Sequence, residues 1–292
     1  MIIDITLLVL GFIGLIIANY SDIKTTEVPD WISYSLIISG LSLRILHSLA
    51  YNISSYTTIA LVNLGIFFIV GNIMYYSRQW GGGDAKLLMG LSVIFATYPQ
   101  ELLKIFTPKL DSFYFPITIF INILLVGIAY SLFFIMYLSI IHRKEFLKEF
   151  KLYLQKTKSP RKTILILSIL LIVLAIILSD LIIKLTLFST SILILFLLYL
   201  WIYIKAIEKS AMYKKVSPSK LIEGDWLIHN IFHNKKIILK KPIYGITKKQ
   251  IALLKKYKIK SVEIKQGLVF TPTFLIAVII SLIFGNILNY FF

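Results

Sequence analysis

The sequence predicts an all-α polytopic membrane protein of about eight transmembrane helices with a small α+β cytosolic domain. Of its 292 residues, 58% are apolar and only 15% are charged, and the mean hydropathy is +0.84. A soluble domain is about half apolar and about a quarter charged. In addition, long apolar stretches recur along the chain, and its basic residues fall almost entirely on one side of the topology that these stretches imply.

The apolar stretches give the predicted helices in order. A bilayer core is crossed by a helix of about 20 apolar residues. Eight stretches are candidates: roughly 2–21, 31–50, 56–77, 84–98, 114–141, 162–179, 181–204 and 271–292. The fourth is short for a complete crossing. The sixth and seventh leave only a tight turn between them, near Ser179 and Asp180.

The basic residues predict the orientation of these helices, because cytoplasmic loops carry an excess of Lys and Arg. With the N-terminus outside, the inner loops fall at about 22–30, 78–86, 142–162 and 205–270, and they hold 27 of the 31 Lys and Arg residues. The net charge of +17 therefore faces the cytoplasm. There it indicates anionic membrane lipids as a partner, and no nucleic acid is expected.

Four domains follow from this organisation. Residues 1–141 form the membrane core, 142–205 a basic cytosolic loop with two further transmembrane helices, 206–268 a basic cytosolic α+β domain, and 269–292 a C-terminal transmembrane helix. Within the third domain, alternation and turn residues predict strands and helical spacing predicts one helix. The predicted strands are 226–232, 236–240 and 260–265, and the helix is 246–258.

Two carboxylates at the ends of predicted helices are the first candidates for chemistry, because an ionisable group near the membrane is costly. Asp22 ends the first apolar run and Asp84 begins the fourth. Counting spans puts both on the cytoplasmic side at similar depth. If they meet, both cannot easily ionise, so the pair is expected to share a proton and to act as acid and base in peptide hydrolysis. In an alternative interpretation Asp84 is only a helix cap.

A glycine triplet directly precedes the second carboxylate. Gly81, Gly82 and Gly83 allow a sharp turn and a close approach of another backbone. We therefore expect an extended substrate to lie along this segment. The alternative is a flexible interhelical loop. The aromatic residue before it, Trp80, is predicted to anchor at the membrane interface, as is Trp31.

The segment Gly81-Gly82-Gly83-Asp84 fits a GxGD signature, and it follows an earlier Asp at a cytoplasmic helix end. In this combination the chain resembles the type IV prepilin peptidases, and especially their archaeal members, which include the preflagellin (prearchaellin) peptidases. The resemblance covers about residues 1–140. The late segment GLVFTPTFLIAV (267–278) also resembles the closing, Pro-containing helix start of that family.

The resemblance implies a GxGD aspartic endopeptidase that removes a short basic leader from prepilin-like or prearchaellin precursors without a metal or cofactor. Asp22 and Asp84 match the two catalytic aspartates of the family, and Gly81 and Gly83 match its glycines. Asp30 stands where the family pattern has Asn after Pro. Because bacterial members with a second, N-methylating activity often carry a cysteine-rich segment, the absence of cysteine speaks against that activity here.

Three charged residues near the aspartates are candidates for substrate binding. Glu27 and Asp30 lie in the same inner loop as Asp22 and offer anions to a basic leader, and Lys86 follows Asp84 closely enough to stabilise an ionised carboxylate. The alternatives are a solvated loop acid for Glu27, a helix cap for Asp30 and a lysine that extends to the interface for Lys86.

Two other functions remain open from the sequence. A GxGD intramembrane protease of the signal-peptide-peptidase type would cut within transmembrane helices. A proton-coupled transporter would use Asp22 and Asp84 as buried proton sites.

Overall fold

The computed structural model describes residues 2–110, 115–233, 236–240 and 243–291. This part of the chain is mostly helical with a small strand region, as the sequence predicts. Six of its helices are long and apolar enough to cross a membrane: Ile3–Thr25, Asp30–Tyr51, Ser55–Tyr76, Phe115–Ile141, Lys158–Ile177 and Leu181–Met212. The two other predicted spans form helices of 13 and 14 residues, which are shorter than a straight crossing of a bilayer core requires.

The chain divides into two compact units, Met1–Ser131 with Leu268–Phe292 as the first and Leu132–Gly267 as the second. The first unit contains α1 (Ile2–Thr25), α2 (Asp30–Tyr51), α3 (Ser55–Tyr76), α4 (Gly82–Ile94), the first part of α5 (Phe115–Ile141) and α10 (Thr271–Phe284). The second unit contains the remainder of α5 and every other helix and strand named below.

Helix α4 forms the centre of the first unit. From Ala85 to Ile94 every residue except Lys86 is buried, and the helix packs against α2 and α3. Helices that are apolar on all sides are found inside a packed bundle. Gly90 permits part of this packing, because a Cβ at that position would lie 3.0 Å from the Cβ of Leu36 on α2.

A buried arginine binds the C-terminal end of α4. Arg44 on α2 is 1% exposed, and its guanidinium donates to the carbonyl oxygens of Val93 (2.9 Å) and Ile94 (3.0 Å). The guanidinium also lies 4.6 Å from the centre of the Tyr56 ring, and the Tyr56 hydroxyl donates to Asp4. The last carbonyl groups of a helix accept no hydrogen bond from within the helix. The helix dipole is negative at this end, so a nearby cation is stabilising.

The segment 142–162, expected to lie on the inner side of the membrane, is largely helical. It contains α6 over Arg143–Lys156 and the start of α7 over Lys158–Ile177. Phe146 and Phe150 are one helical turn apart and pack against each other, and Phe146 also packs against Tyr203. These aromatic residues give α6 an apolar face that can be buried.

Helices α7 and α8 (Leu181–Ile207) pack side by side. Ser168 and Ser191 are buried between them, and each hydroxyl donates to the backbone carbonyl of the other residue, at 3.5 and 3.1 Å. The tight turn expected near Ser179 and Asp180 is confirmed. The carboxylate of Asp180 accepts from the N–H of Ile183 at 2.9 Å and caps α8.

The strand region contains a four-stranded antiparallel sheet and a separate hairpin. The sheet has the order β1-β6-β2-β5, with β1 at Tyr213–Val216, β2 at Trp226–Leu227, β5 at Ile243–Tyr244 and β6 at Val262–Lys265. The hairpin pairs β3 (Ile231–His233) with β4 (Lys236–Leu239). Helix α9 (Lys248–Lys256) completes the fold.

The predicted elements of this region are recovered with shorter bounds. The strand expected at 226–232 is divided into β2 and β3, and the expected turn around 233–235 falls partly outside the described residues. Thr247 caps α9, accepting from the N–H of Gln250 at 3.3 Å. The apolar core of the region contains Leu227, Ile231, Leu239, Ile246, Ile251, Leu254, Val262 and Ile264.

Candidate active site

Asp22 is buried near the end of α1, where it meets the start of α10. Its carboxylate is 7% exposed, and one of its oxygens, Oδ2, accepts from both the backbone N–H (3.3 Å) and the hydroxyl (3.0 Å) of Thr271. Thr271 is the first residue of α10. The N–H groups of a first helical turn have no partner inside the helix, and the helix dipole is positive there, so this end suits an anion.

Asp84 lies in the first turn of α4 and is partly buried. Its Oδ2 atom accepts from the N–H of Gly81 at 3.2 Å, so the side chain reaches back to the residue that caps the helix. Asp84 therefore stabilises a helix start, but it is not itself the N-cap residue. Each candidate aspartate therefore binds the N-terminal end of a helix. Asp22 binds the start of α10, and Asp84 binds the start of its own helix, α4.

Asp22 and Asp84 lie close enough for the charge of one carboxylate to act on the other. Tyr130 on α5 also interacts electrostatically with Asp22. All of these residues belong to the first compact unit. The arrangement is therefore a pair of acidic groups beside a phenol, inside a bundle of apolar helices.

The glycine triplet is less extended than the sequence predicts. Gly81 has an extended backbone (φ −69°, ψ 159°), whereas Gly82 and Gly83 already form the first turn of α4. Gly83 is needed for close packing, because a Cβ there would lie 2.9 Å from the Cβ and 3.0 Å from the carbonyl oxygen of Val28. The connection between α1 and α2 therefore passes directly over the start of α4.

The charged candidates for substrate binding lie around this connection. Lys86 and Asp30 form an ion pair, with 2.6 Å between Nζ and Oδ1, and Lys86 also lies 5.8 Å from the centre of the Tyr34 ring. Asp30 begins α2, but its N-cap position is occupied by Pro29. Glu27 is exposed, and its backbone carbonyl accepts from the hydroxyl of Ser21 at 3.0 Å.

Trp80 is not the interfacial anchor that the sequence predicts. It is 9% exposed, and its ring packs against Phe120, Phe270 and Phe274 at centroid distances of 6.0, 5.7 and 5.3 Å. Trp31, by contrast, is 59% exposed. Trp80 directly precedes the glycine triplet, so its burial ties the start of α4 to the start of α10.

Thr271 was missed as a site residue by sequence reasoning. A signal was present in the Pro-containing helix start at 267–278, because Pro is favoured in a first helical turn and Pro272 follows Thr271. That pattern predicts a helix start, but it contains nothing that names Asp22 as the group the helix would face.

Residues 9–141 match the family model of the type IV leader peptidases. This part of the chain is similar to the type IV leader peptidases. The resemblance predicted from the GxGD segment is thereby confirmed. The leader peptidase region includes Asp22, the glycine triplet and Asp84, while Thr271 lies outside it.

Individual relatives agree with this assignment. A preflagellin peptidase of Methanocaldococcus jannaschii is 32% identical over 129 residues, which cover 41% of this chain and 53% of the relative. A preflagellin peptidase of Methanococcus maripaludis is 32% identical over 117 residues, covering 39% and 50%. A prepilin peptidase of Methanothermobacter thermautotrophicus is 27% identical over 157 residues, covering 51% and 40%.

The chain spans about half the length of the curated relatives it matches. No solved structure matches it. The leader peptidase region together with six candidate membrane helices indicates a multi-pass membrane protein.

Proposed function

We propose that this chain is a membrane aspartic endopeptidase that removes the short basic leader from prepilin-like or prearchaellin precursors at the cytoplasmic face of the cell membrane. The observation that carries this proposal is that Asp22 and Asp84 are each hydrogen-bonded at a helix start, at α10 and α4, close enough for their charges to interact. The match of residues 9–141 to the leader peptidase family model supports it, as do relatives named preflagellin and prepilin peptidases.

The two aspartates work as one unit in the proposed reaction. Because like charges repel, the pair holds one proton more readily than none. The ionised carboxylate accepts a proton from a water molecule, whose oxygen attacks the scissile carbonyl carbon. The protonated carboxyl donates a hydrogen bond to the carbonyl oxygen, and the leaving amine is protonated as the peptide bond breaks. Either residue can hold the proton at the start.

Thr271 positions Asp22 in this scheme. Its N–H and hydroxyl both bind Oδ2 of Asp22, which fixes that oxygen and limits rotation of the carboxylate. Asp84 is restrained in the same way by the N–H of Gly81. Holding reacting groups in a fixed geometry lowers the barrier of a reaction, because less freedom is lost in the transition state.

The substrate is expected to extend next to the start of α4. A helix hides its carbonyl groups, so the junction between leader and apolar helix has to unwind before it is cut. Gly81 is extended and exposed, and the first-turn N–H groups at Gly82 and Gly83 point away from the hydrogen-bond ladder of α4. We therefore propose that the substrate backbone binds along residues 81–83.

Leader recognition is assigned to the acidic residues of the α1–α2 connection. Glu27 is exposed there, and Asp30 forms an ion pair with Lys86. A basic residue of the leader would therefore displace Lys86 from Asp30. Glu27→Gln should weaken cleavage of a precursor with a basic leader more than cleavage of one with a neutral leader. Lys86→Met should favour binding of the basic leader, and equal effects on both precursors would contradict these roles.

The proposed topology has eight membrane-embedded helices with the N-terminus outside. In it, α4 and α10 are short helices inside the bundle, and the aspartates face the cytoplasm. The four domains are those given by residues 1–141, 142–205, 206–268 and 269–292. The basic third domain rests on anionic lipid, since the charge of the chain is concentrated in the inner loops.

Coexpression with candidate precursors tests the function. Wild type should shorten a prearchaellin or prepilin precursor, while Asp22→Asn and Asp84→Asn should each abolish cleavage without lowering the amount of folded protein. Full activity in either variant would contradict the dyad.

Purified protein in detergent separates the alternative functions, because no proton gradient exists there. Cleavage under those conditions excludes a transporter without peptidase activity. Mapping the cut then distinguishes a leader peptidase, which cuts at the junction of leader and helix, from an intramembrane protease, which cuts inside the apolar stretch.

A further inference from the structure

The β3–β4 hairpin of the second unit has one buried and one exposed face. Ile231 and Leu239 are cross-strand partners in the apolar core, at 9% and 7% exposure. Phe232 and Ile237 are the next pair, and they are 56% and 51% exposed. Neighbouring strand residues point to opposite faces, so the outward pair forms a continuous apolar surface of a phenyl ring and a branched aliphatic chain.

This exposed pair stands out from its surroundings. Among the side chains that the structure describes between 206 and 268, the large apolar ones that are exposed are Phe232, Ile237 and Tyr257. Tyr257 lies next to the same hairpin, with its ring 4.9 Å from that of His233. Paired apolar side chains that are left on a surface mark a contact with another molecule or with a membrane.

The charges beside the hairpin identify the partner. Three lysines that the structure describes as exposed flank these side chains in the sequence: Lys240 directly follows β4, and Lys256 and Lys258 stand on either side of Tyr257. Lysines flanking an exposed aromatic and an aliphatic residue suit the boundary of an anionic bilayer, where the apolar groups enter the acyl region and the ammonium groups reach the phosphates. A basic leader peptide would be repelled by the same lysines.

We propose that the β3–β4 hairpin is a membrane anchor, in which Phe232 and Ile237 insert into the interface of an anionic bilayer and the flanking lysines bind its phosphate groups. This inference rests on the proposed function only in placing residues 206–268 at the cytoplasmic membrane face. His233 and Tyr257 hold the hairpin to the end of α9, so the anchor is attached to the folded domain and not to a free loop.

Single-cysteine spin labelling of the full chain tests the anchor, because the chain has no cysteine of its own. Phe232→Cys and Ile237→Cys are labelled in nanodiscs of phosphatidylglycerol and, separately, of phosphatidylcholine. Lys249→Cys on α9 is the exposed control. The accessibility of each spin label to oxygen, which dissolves in lipid, is compared with its accessibility to a nickel chelate, which remains in water.

The expected result is an oxygen-to-nickel accessibility ratio several times higher at 232 and 237 than at 249, and higher in phosphatidylglycerol than in phosphatidylcholine. Nickel access at 232 and 237 equal to that at 249 would overturn the proposal. Shielding of the spin labels from both reagents would also overturn it, because that indicates burial against protein. So would an oxygen-to-nickel ratio that is the same in phosphatidylglycerol and phosphatidylcholine. Repeating the measurement with Asp84→Asn keeps this outcome separate from peptidase activity, because that variant leaves the hairpin intact.

Discussion

The rings of Trp80 and Phe270 pack against each other with their centroids 5.7 Å apart. Trp80 immediately precedes the glycine that caps α4, and Phe270 immediately precedes the threonine that begins α10. Each helix start holds one aspartate through backbone N–H groups. The aromatic contact therefore joins the two helix starts that position Asp22 and Asp84. The geometry of the two aspartates thus depends on packing between residues that are not themselves aspartates.

Removing the indole should disturb both helix starts at once. Trp80→Ala deletes a buried ring that touches three phenylalanines, and such truncations cost about 3–5 kcal/mol. We expect a large loss of thermal stability in detergent and of precursor cleavage. Trp80→Phe keeps the ring packing and should retain most of both. Normal stability in Trp80→Ala would show that the cluster does not support the bundle.

Neighbouring glycines provide a matched test of backbone approach. Gly83→Ala places a Cβ 2.9–3.0 Å from Val28 atoms that include a carbonyl oxygen, whereas Gly82→Ala places one at an ordinary 3.5 Å from the Tyr75 ring. We expect Gly83→Ala to lose about 1–3 kcal/mol of stability through overpacking. Gly82→Ala should be neutral or slightly stabilising, because Ala is the better helix former.

Thermal unfolding of the two glycine variants in the same detergent gives the comparison directly. Cleavage by Gly83→Ala should fall with its stability, since the displaced connection carries the end of α1. Equal unfolding temperatures for the two variants would contradict the close approach of Val28 to α4.

The helix ends that carry the aspartates could be predicted from the sequence, but the surroundings of the aspartates could not. Asp22 lies near the end of α1 and Asp84 in the first turn of α4, as the apolar runs indicate. The contacts of Thr271 and Trp80 depend on which helices become neighbours, and Thr271 is separated from Asp22 by most of the chain. Composition and periodicity carry no information about such pairs.

Local patterns failed where a competing tertiary contact decided the outcome. Tryptophan is a residue type typical of interfacial anchors, but Trp80 is buried against three phenylalanine rings. The caps at Thr247 and Asp180 are different, because their hydrogen bonds are made within a few residues of the same helix start.

The hydroxyl of Thr271 should matter more for activity than for folding. Thr271→Val keeps the shape of the side chain and the backbone N–H but removes the hydroxyl donor to Asp22. A hydrogen bond to a charged group contributes about 1.5–3 kcal/mol, so we expect kcat to fall by roughly 10- to 100-fold. Thr271→Ser restores the donor and should recover most of the rate. A Val variant within about twofold of wild type would exclude this positioning role.

Arg44 should be a structural requirement of the first unit at the opposite end of α4 from Asp84. Its guanidinium binds two terminal carbonyls of α4 and faces the Tyr56 ring, so Arg44→Met leaves those carbonyls buried without their donor. Leaving a buried acceptor without its donor costs about 1–3 kcal/mol. Arg44→Lys keeps the charge but lacks the planar fork, and it should fall between Met and wild type. Thermal unfolding in detergent compares the stability of wild type, Arg44→Lys and Arg44→Met. Lys104 is exposed, so Lys104→Met serves as a control that should change stability by less than about 0.5 kcal/mol. If Arg44→Met unfolds at the same temperature as wild type, α4 is held in place by its apolar packing alone.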